Sequence, residues 1–215
     1  MQAEMTPRSL RLRLLGLLPR AWVRMHGRRD EPALYLSFDD GPHPSHTPPL
    51  LALLAAHGVR ATFFLIGDQL DANAAVVAQL VAQGHVLGNH SFSHPRFETL
   101  PFAAQCGEIA RTDELLAVHD GRSTHAFRPP RGVLPLRLLL HFVRHRRCFA
   151  FWSYDSLDSR GRAVDELLEL IRRDPPRPGD ILLFHDDGGV SRQLLATLLP
   201  EWKAQGFVFR TIDPE

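Results

Sequence analysis

One stretch of the sequence reads Ala33-Leu34-Tyr35-Leu36-Ser37-Phe38-Asp39-Asp40-Gly41-Pro42. The run from Ala33 to Phe38 is mostly apolar and predicts a β-strand, and the Gly-Pro pair predicts a turn shortly after it. Two carboxylates, those of Asp39 and Asp40, therefore stand where a strand ends. Taken alone, such a pair is as typical of an acidic turn as of a reactive site. The other polar motifs are needed to distinguish these two interpretations.

From this stretch to the C-terminus, short apolar runs alternate with longer segments of helical period, which predicts βα units around a parallel sheet. The predicted strands cover residues 33–38, 61–65, 85–88, 126–128, 148–152, 180–184 and 207–211. The first predicted helix has Thr47 as its N-cap and Gly58 just past its end. Further helices are predicted over residues 71–83, 100–119, 135–145, 163–172 and 191–205. We expect one α/β domain over residues 31–215, preceded by a basic N-terminal extension over residues 1–30.

The composition is that of an ordinary globular protein, with 44% hydrophobic residues and a formal net charge of +1. Disordered chains contain fewer apolar residues and carry a larger net charge. The two cysteines, Cys106 and Cys148, are far apart and form no CxxC pair. This spacing argues against a disulfide framework and against a cysteine zinc site.

The first 29 residues contain seven arginines and a single acid, Glu4. We see no nucleic-acid footprint there, but a basic, Leu-rich segment with Trp22 could contact an acidic membrane surface. Its apolar run, residues 14–18, is bounded by Arg13 and Pro19 and is too short for a signal peptide, and no stretch is long enough to span a membrane. We therefore expect a cytoplasmic protein, or one bound peripherally to the inner face of the membrane, and leave its oligomeric state open.

Polar side chains follow several other predicted strands as the aspartates follow the first. His90 comes after the third strand, Arg128 after the fourth, Asp155 and Asp158 after the fifth, and His185 after the sixth. The carboxyl ends of the strands share one face in a parallel barrel, and active sites of such folds are built there. We therefore expect these side chains to converge.

The histidines His90 and His94 are four positions apart, a spacing that places two imidazoles on one face of a helical turn. Two histidines and one carboxylate can hold a divalent ion and leave a position open for water, as in catalytic zinc sites. One aspartate of the acidic pair could supply that carboxylate while the other accepts a proton. His141 and His145 have the same spacing but lie among arginines, so we interpret them as part of a solvated helix face.

A stiff loop follows the fourth strand and reads Arg128-Pro129-Pro130-Arg131-Gly132. The two prolines have no N–H, so the N–H of Arg131 is the next free backbone donor and could face a developing oxyanion. Together with the acidic pair, the histidine pair and His185, this loop predicts a metal-dependent hydrolase.

In this order and spacing, the motifs resemble those of the polysaccharide deacetylases with a NodB-homology domain, carbohydrate esterase family 4, over about residues 33–211. The resemblance implies a distorted (β/α)7 barrel. It also implies that Asp39 is the general base, oriented by Arg128. Asp40, His90 and His94 would then bind the metal.

The family's last motif corresponds to residues 181–186, so the resemblance implies that His185 is the general acid and is paired with Asp158. The amide of Arg131 would help to hold the oxyanion, and Leu183 would line the acetyl pocket. Two positions depart from the family pattern, because Arg131 stands in place of an aromatic residue and Ser159 in place of a tryptophan. Neither departure removes a reacting group, but both alter the walls of the substrate pocket.

The expected activity is metal-dependent removal of N-acetyl groups from N-acetylglucosamine-type glycans, with release of acetate. The expected ion is zinc, and cobalt or nickel would suit the same ligands. The expected partner is an acetylated glycan and not a nucleic acid. Three alternatives stay open: an O-acetyl xylan esterase, a glycan-binding homologue with weakened catalysis, and a non-haem iron oxygenase.

Overall fold

A computed structural model describes residues 16–147 and 149–212 of the protein. Its strands are β1 Val23–Arg24, β2 Ala33–Asp39, β3 Thr62–Leu65, β4 Val86–Asn89, β5 Phe149–Ala150, β6 Tyr154–Asp155, β7 Ile181–His185 and β8 Val208–Arg210. Every pair of these strands is parallel. The order is β4-β3-β2-β7-β6, with β8 also beside β2 and with β1 beside β5.

Further pairings close this arrangement into a distorted barrel. Phe127 bridges to Asn89 at the end of β4 and to Phe149 in β5. The chain then continues from β5 into β6, where Tyr154 pairs with Leu182 of β7. The ring of pairings thus returns to β7, and the predicted single α/β domain with parallel strands is confirmed.

Successive residues of β2 point to opposite sides of the sheet. Leu34, Leu36 and Phe38 belong to the large core between the sheet and the helices. On the other side, Tyr35 belongs to a smaller cluster inside the barrel. Asp39 lies on that inner side, at the carboxyl end of the strand. The barrel interior therefore changes from apolar to polar toward this end.

The helices are α1 Thr47–Ala56, α2 Ala74–Ala82, α3 Phe102–Asp120, α4 Leu136–Arg144, α5 Val164–Arg173 and α6 Val190–Ala204. Each predicted helix is present, with its ends shifted by a few residues. The largest shift is at the second helix, where two 3₁₀ turns over residues 67–73 precede Ala74. Gly58 has a φ of +60° just after α1, as the prediction of a helix end there requires.

The predicted N-cap role of Thr47 is wrong. The helix begins at Thr47 itself, His46 occupies the N-cap position, and no side chain caps the helix. The Thr47 hydroxyl instead donates to Asp186 Oδ2 at 2.5 Å and accepts from the amide of His43 at 2.8 Å. A buried carboxylate is a stronger partner than a helix amide, so Thr47 joins α1 to the loop after β7.

The chain contributes to the barrel before the predicted start at residue 31. Val23 pairs with Phe149, and Val23 and Met25 are buried in a second core cluster. The predicted boundary after residue 30 therefore leaves a strand of the described fold outside the domain. Residues 1–15 of the predicted basic extension lie outside the described residues. Cys148, at the start of the fifth predicted strand, lies outside them as well. Among the described helices, none has the length and apolar character needed to cross a bilayer.

Candidate active site

The polar side chains predicted to converge lie together at the carboxyl ends of the strands. Asp39 ends β2 and is the register partner of His185, which ends β7. Neighbouring strands are about 4.8 Å apart, so these two side chains stand side by side. His90 directly follows β4, and Arg128 directly follows the bridging residue Phe127.

Asp40, His90 and His94 form a group that could hold a metal ion. One ligand atom from each lies within 4.8 Å of the other two. Asp40 Oδ1 is 3.4 Å from the Nε2 atoms of both histidines. This oxygen is buried and accepts no hydrogen bond from the described residues. A buried carboxylate oxygen between two imidazole nitrogens suits a divalent ion, and the donor set is one that zinc prefers.

The protonation states of these side chains also fit ion binding. Burial raises the pKa of Asp40, but His90, His185 and His94 outweigh this effect and lower it to about 2. Burial and the neighbouring His90 lower the pKa of His94. The carboxylate is therefore charged and the His94 imidazole neutral near pH 7, which are the forms that bind metals.

The imidazole of His90 is held in place from behind. Its Nδ1 lies 2.8 Å from the backbone carbonyl oxygen of Arg128. A carbonyl can only accept, so Nδ1 carries a proton, and Nε2 points toward Asp40. Such a second contact sets the tautomer and the ring direction of a metal-binding histidine.

The two histidines do not lie on a helical turn, so this part of the prediction is wrong. The chain from His90 to His94 is an irregular loop in which Ser91 and His94 have φ values of 70° and 51°. Side chains accept from the amides of this loop. Asn89 Oδ1 accepts from the amide of Ser91, and Glu108 accepts from the amide of Ser93. The rings nevertheless lie close together, with centroids 5.0 Å apart.

Asp39 is buried and is held by Arg128. The guanidinium donates to Asp39 Oδ1 at 2.6 Å and to the Ser37 hydroxyl at 2.9 Å. It also donates to the carbonyl oxygens of Ala150 and Phe151. Arg128 has no exposed surface. The other oxygen of Asp39, Oδ2, lies 3.7 Å from His90 Nε2 and so faces the candidate metal site.

His185 is paired with Asp158. The carboxylate accepts from the His185 amide at 2.8 Å and from Nδ1 of its ring at 2.8 Å. Burial lowers the pKa of His185, but the hydrogen bond to Asp158 and the charges of Asp158, Asp39 and Asp40 outweigh it and raise the pKa to about 9. Asp155, the other acid considered for this role, instead accepts from the amide of Leu157 at 2.9 Å.

The residues predicted to surround the substrate lie near these groups. Leu183 is on β7, two residues before His185 and therefore on the same side of the strand, and it is buried. Arg131 is exposed in a 3₁₀ turn with a φ of 55°. The next residue, Gly132, has a φ of 63° and lies so close to Trp152 that a Cβ would be 2.7 Å from the indole ring.

Sequence reasoning missed several residues that position the site. Ser37 links Arg128 to β7, because its hydroxyl also donates to Leu182 O at 2.7 Å. Asn89 is buried, and its side-chain amide donates to Asp113 Oδ1 at 2.8 Å. A polar residue inside an apolar strand was the available signal for Ser37. For Asn89 the sequence offers only its place beside His90.

Comparisons with known proteins agree with this geometry. The family model described as polysaccharide deacetylase matches residues 26–142. A peptidoglycan-N-acetylglucosamine deacetylase of Bacillus cereus is 30% identical over 203 residues, which cover 90% of this chain and 74% of the relative. A chitooligosaccharide deacetylase of Rhizobium leguminosarum bv. phaseoli is 33% identical over 175 residues, which cover 78% of this chain and 76% of the relative.

Solved structures agree with the fold. The crystal structure of a peptidoglycan N-acetylglucosamine deacetylase superimposes with a TM-score of 0.83 at 29% identity. The superposition covers 89% of this chain and 91% of the other.

Proposed function

The chain belongs to the polysaccharide deacetylase family, whose named members are hydrolases, and on this premise we propose that it removes N-acetyl groups from N-acetylglucosamine-type sugars with a bound divalent ion. The products are acetate and a free amino sugar. The domain that does this is proposed to cover residues 31–215 together with the strand β1.

One observation carries the proposal. Three potential metal ligands, a buried carboxylate and a protonated histidine meet at one end of the barrel. Asp40 Oδ1 lies 3.4 Å from both histidine nitrogens, Asp39 Oδ2 is 3.7 Å from His90, and His185 is paired in register with Asp39. An ion with acid and base groups beside it is what amide hydrolysis requires.

Asp40, His90 and His94 would hold the ion, which is proposed to be zinc, with cobalt or nickel as alternatives. When bound, such an ion supplies a Lewis acid and lowers the pKa of bound water toward about 7. The protein's own contribution is to keep the Asp40 carboxylate charged and the His94 imidazole neutral, and to hold the His90 ring in its orientation.

Asp39 is proposed as the general base. Arg128 engages Oδ1 and stabilises the carboxylate, which leaves Oδ2 to accept a proton from the attacking water. Because the guanidinium is itself held by three further acceptors, the carboxylate cannot rotate away.

His185 is proposed as the general acid. Its Nδ1–H is engaged by Asp158, so Nε2–H is free to protonate the departing sugar nitrogen. A pKa of about 9 keeps this proton in place at neutral pH until the leaving group needs it. The amide of Arg131 would hold the oxyanion, a kind of donor worth about 3 to 4 kcal/mol in other acyl-transfer enzymes. Leu183 would contact the acetyl methyl group.

The named relatives favour an amide over an ester as the bond that is cleaved. One acts on N-acetylglucosamine of peptidoglycan and another on chitooligosaccharides, according to their names. Both substrates carry their acetyl group on nitrogen. We therefore place N-deacetylation ahead of O-acetyl xylan esterase activity for this chain.

The test is acetate release from chitooligosaccharides, peptidoglycan fragments and acetylated xylan, after chelation and after return of zinc, cobalt or nickel. We expect acetate from the first two substrates only, and only with metal. The variant H94A should lose both zinc occupancy and acetate release, whereas H141A, a matched histidine on α4, should retain both. Acetate from xylan alone would establish an esterase, and bound oligosaccharide without acetate release would establish a binding protein.

A further inference from the structure

Helix α4 exposes apolar side chains on its outer face. Leu138, Leu139 and Phe142 are buried against the second core cluster. Leu136 and Leu140, one turn apart on the other face, are 69% and 59% exposed. Two large apolar side chains are thus exposed next to each other on this face of the helix.

The stretch of sequence around this leucine pair contains cations and no acids. Residues 121–154 contain seven arginines and neither aspartate nor glutamate. Two of these arginines are engaged elsewhere, Arg128 with Asp39 and Arg147 with Asp113. Arg137 and Arg144 are exposed on α4 itself.

Arg137 is held beside the leucines by an aromatic ring of the preceding helix, α3. Its guanidinium carbon lies 4.5 Å from the centroid of Phe102 on α3, which is partly exposed. Arg144 lies one turn after Leu140 on the same face. This face of α4 therefore combines two leucines and two cations, with Phe102 of α3 packed against Arg137.

The N-terminal part of the chain reaches the described structure close to α4. Leu18 and Trp22 pack against the core cluster that contains the buried face of α4, and Leu17 is 81% exposed. The sequence before it contains Arg8, Arg11 and Arg13. The described start of the chain, from Leu17 to Trp22, therefore lies beside the core cluster that holds α4, and those three arginines lie outside the described residues.

The α4 face is also close to the candidate active site. Leu136 follows Arg131 by five residues, so their Cα atoms are at most about 18 Å apart. Arg131 in turn lies near enough to His94 to affect its pKa. The start of α4 is therefore joined to the candidate site by a short stretch of chain.

We propose that this face of α4, comprising Leu136, Arg137, Leu140 and Arg144, docks on the surface of an anionic lipid bilayer. Leucines flanked by arginines match a surface that has acyl chains beneath anionic headgroups. A second copy of the chain is a poorer match, because a twofold contact through this face would bring the arginines of both copies together.

The test is sedimentation of the full chain with vesicles of phosphatidylcholine alone and of phosphatidylcholine mixed with phosphatidylglycerol. We expect binding only to the mixed vesicles. The variant R137Q/R144Q should weaken it by about fivefold per arginine, and L136S/L140S by at least about tenfold. The matched control V118S/R173Q removes an exposed apolar residue and an exposed arginine from α3 and α5, and it should bind as the unaltered chain does. Thermal unfolding of each variant reports whether the fold is intact, independently of any deacetylase activity.

Several results would overturn the proposal. The unaltered chain could fail to bind the mixed vesicles, or L136S/L140S could bind them as well as the control. Loss of binding only in R8Q/R11Q/R13Q would assign the contact to the N-terminal segment instead. A dimer in sedimentation velocity that dissociates in L136S/L140S would show that the face joins two copies of the chain.

Discussion

Replacing Asp158 with asparagine should move the alkaline limb of the pH profile for deacetylation. Asp158 and its charged neighbours raise the pKa of His185 to about 9, against the opposing effect of burial. A general acid must be protonated to act, so activity is present below the pKa of His185 and is lost as the pH rises through that pKa. In D158N the hydrogen bond and the charge of Asp158 are gone, and burial is opposed only by the charges of Asp39 and Asp40, so the pKa should fall to about 6.5, the ordinary value for histidine.

The expected size of this effect can be stated. At pH 8 a group with a pKa of about 9 is about 90% protonated, whereas one with a pKa of about 6.5 is only about 3% protonated. Acetate release at pH 8 should therefore fall about 30-fold in D158N, and the fall should shrink toward pH 6. A bound divalent ion lowers the pKa of His185 in both proteins, so the difference between the two profiles is the quantity to compare.

The measurement is kcat/KM for a chitooligosaccharide from pH 5 to pH 10 in zinc-loaded protein. D155N is the matched control, because Asp155, the last residue of β6, is also an acid but accepts from the amide of Leu157. Its alkaline limb should lie close to that of the unaltered chain. If the limb of D158N coincides with that of the unaltered chain, His185 is not the general acid or Asp158 does not set its pKa.

Further predictions concern the residues behind the site. R128K keeps the cation but cannot make the four contacts of the buried guanidinium. Activity should be lost, and urea unfolding should show that the variant is less stable by about 3 to 5 kcal/mol. Unchanged stability would mean that the network around Asp39 contributes little. N89A removes the acceptor of the Ser91 amide. It should weaken zinc binding by about 10- to 100-fold in a competition titration while the fold persists. Equal affinity would show that the loop keeps its conformation without the Asn89 side chain. Burial and the charge of Arg60 lower the pKa of His85 to about 4. The folded state is therefore expected to lose stability as the pH falls from about 6.5 to about 4, by about 2 kcal/mol at pH 5. Urea unfolding of H85Q should lack this part of the pH dependence, and a slope equal to that of the unaltered chain would assign the dependence to other groups.

Local patterns were sufficient to predict most of the elements. An apolar run that stops at Asp39 and Asp40, and a helix that stops at Gly58, are short-range signals because a strand end or a helix end depends on a few neighbouring residues. The strand β1 was missed because two residues cannot show an alternation. Parallel strands place their carboxyl ends on one face, so the shared location of the reactive groups could also be predicted.

Contacts between distant parts of the chain decided the details of the site. The sequence around Thr47 is typical of an N-cap, but its hydroxyl donates a hydrogen bond to Asp186, which is 139 positions away. The spacing of His90 and His94 suggests a helical turn, but bonds from Asn89 and Glu108 hold that loop in another conformation.

The sequence by itself determined which chemical groups are available and at which strand ends they stand, because strand and turn signals act over a few residues. Only the tertiary structure decided how those groups are paired. It pairs the ring of His185 with Asp158 while Asp155 accepts from the amide of Leu157, and it buries Arg128 against Asp39. Such pairings depend on the register of strands and on burial, which arise only when remote segments pack together.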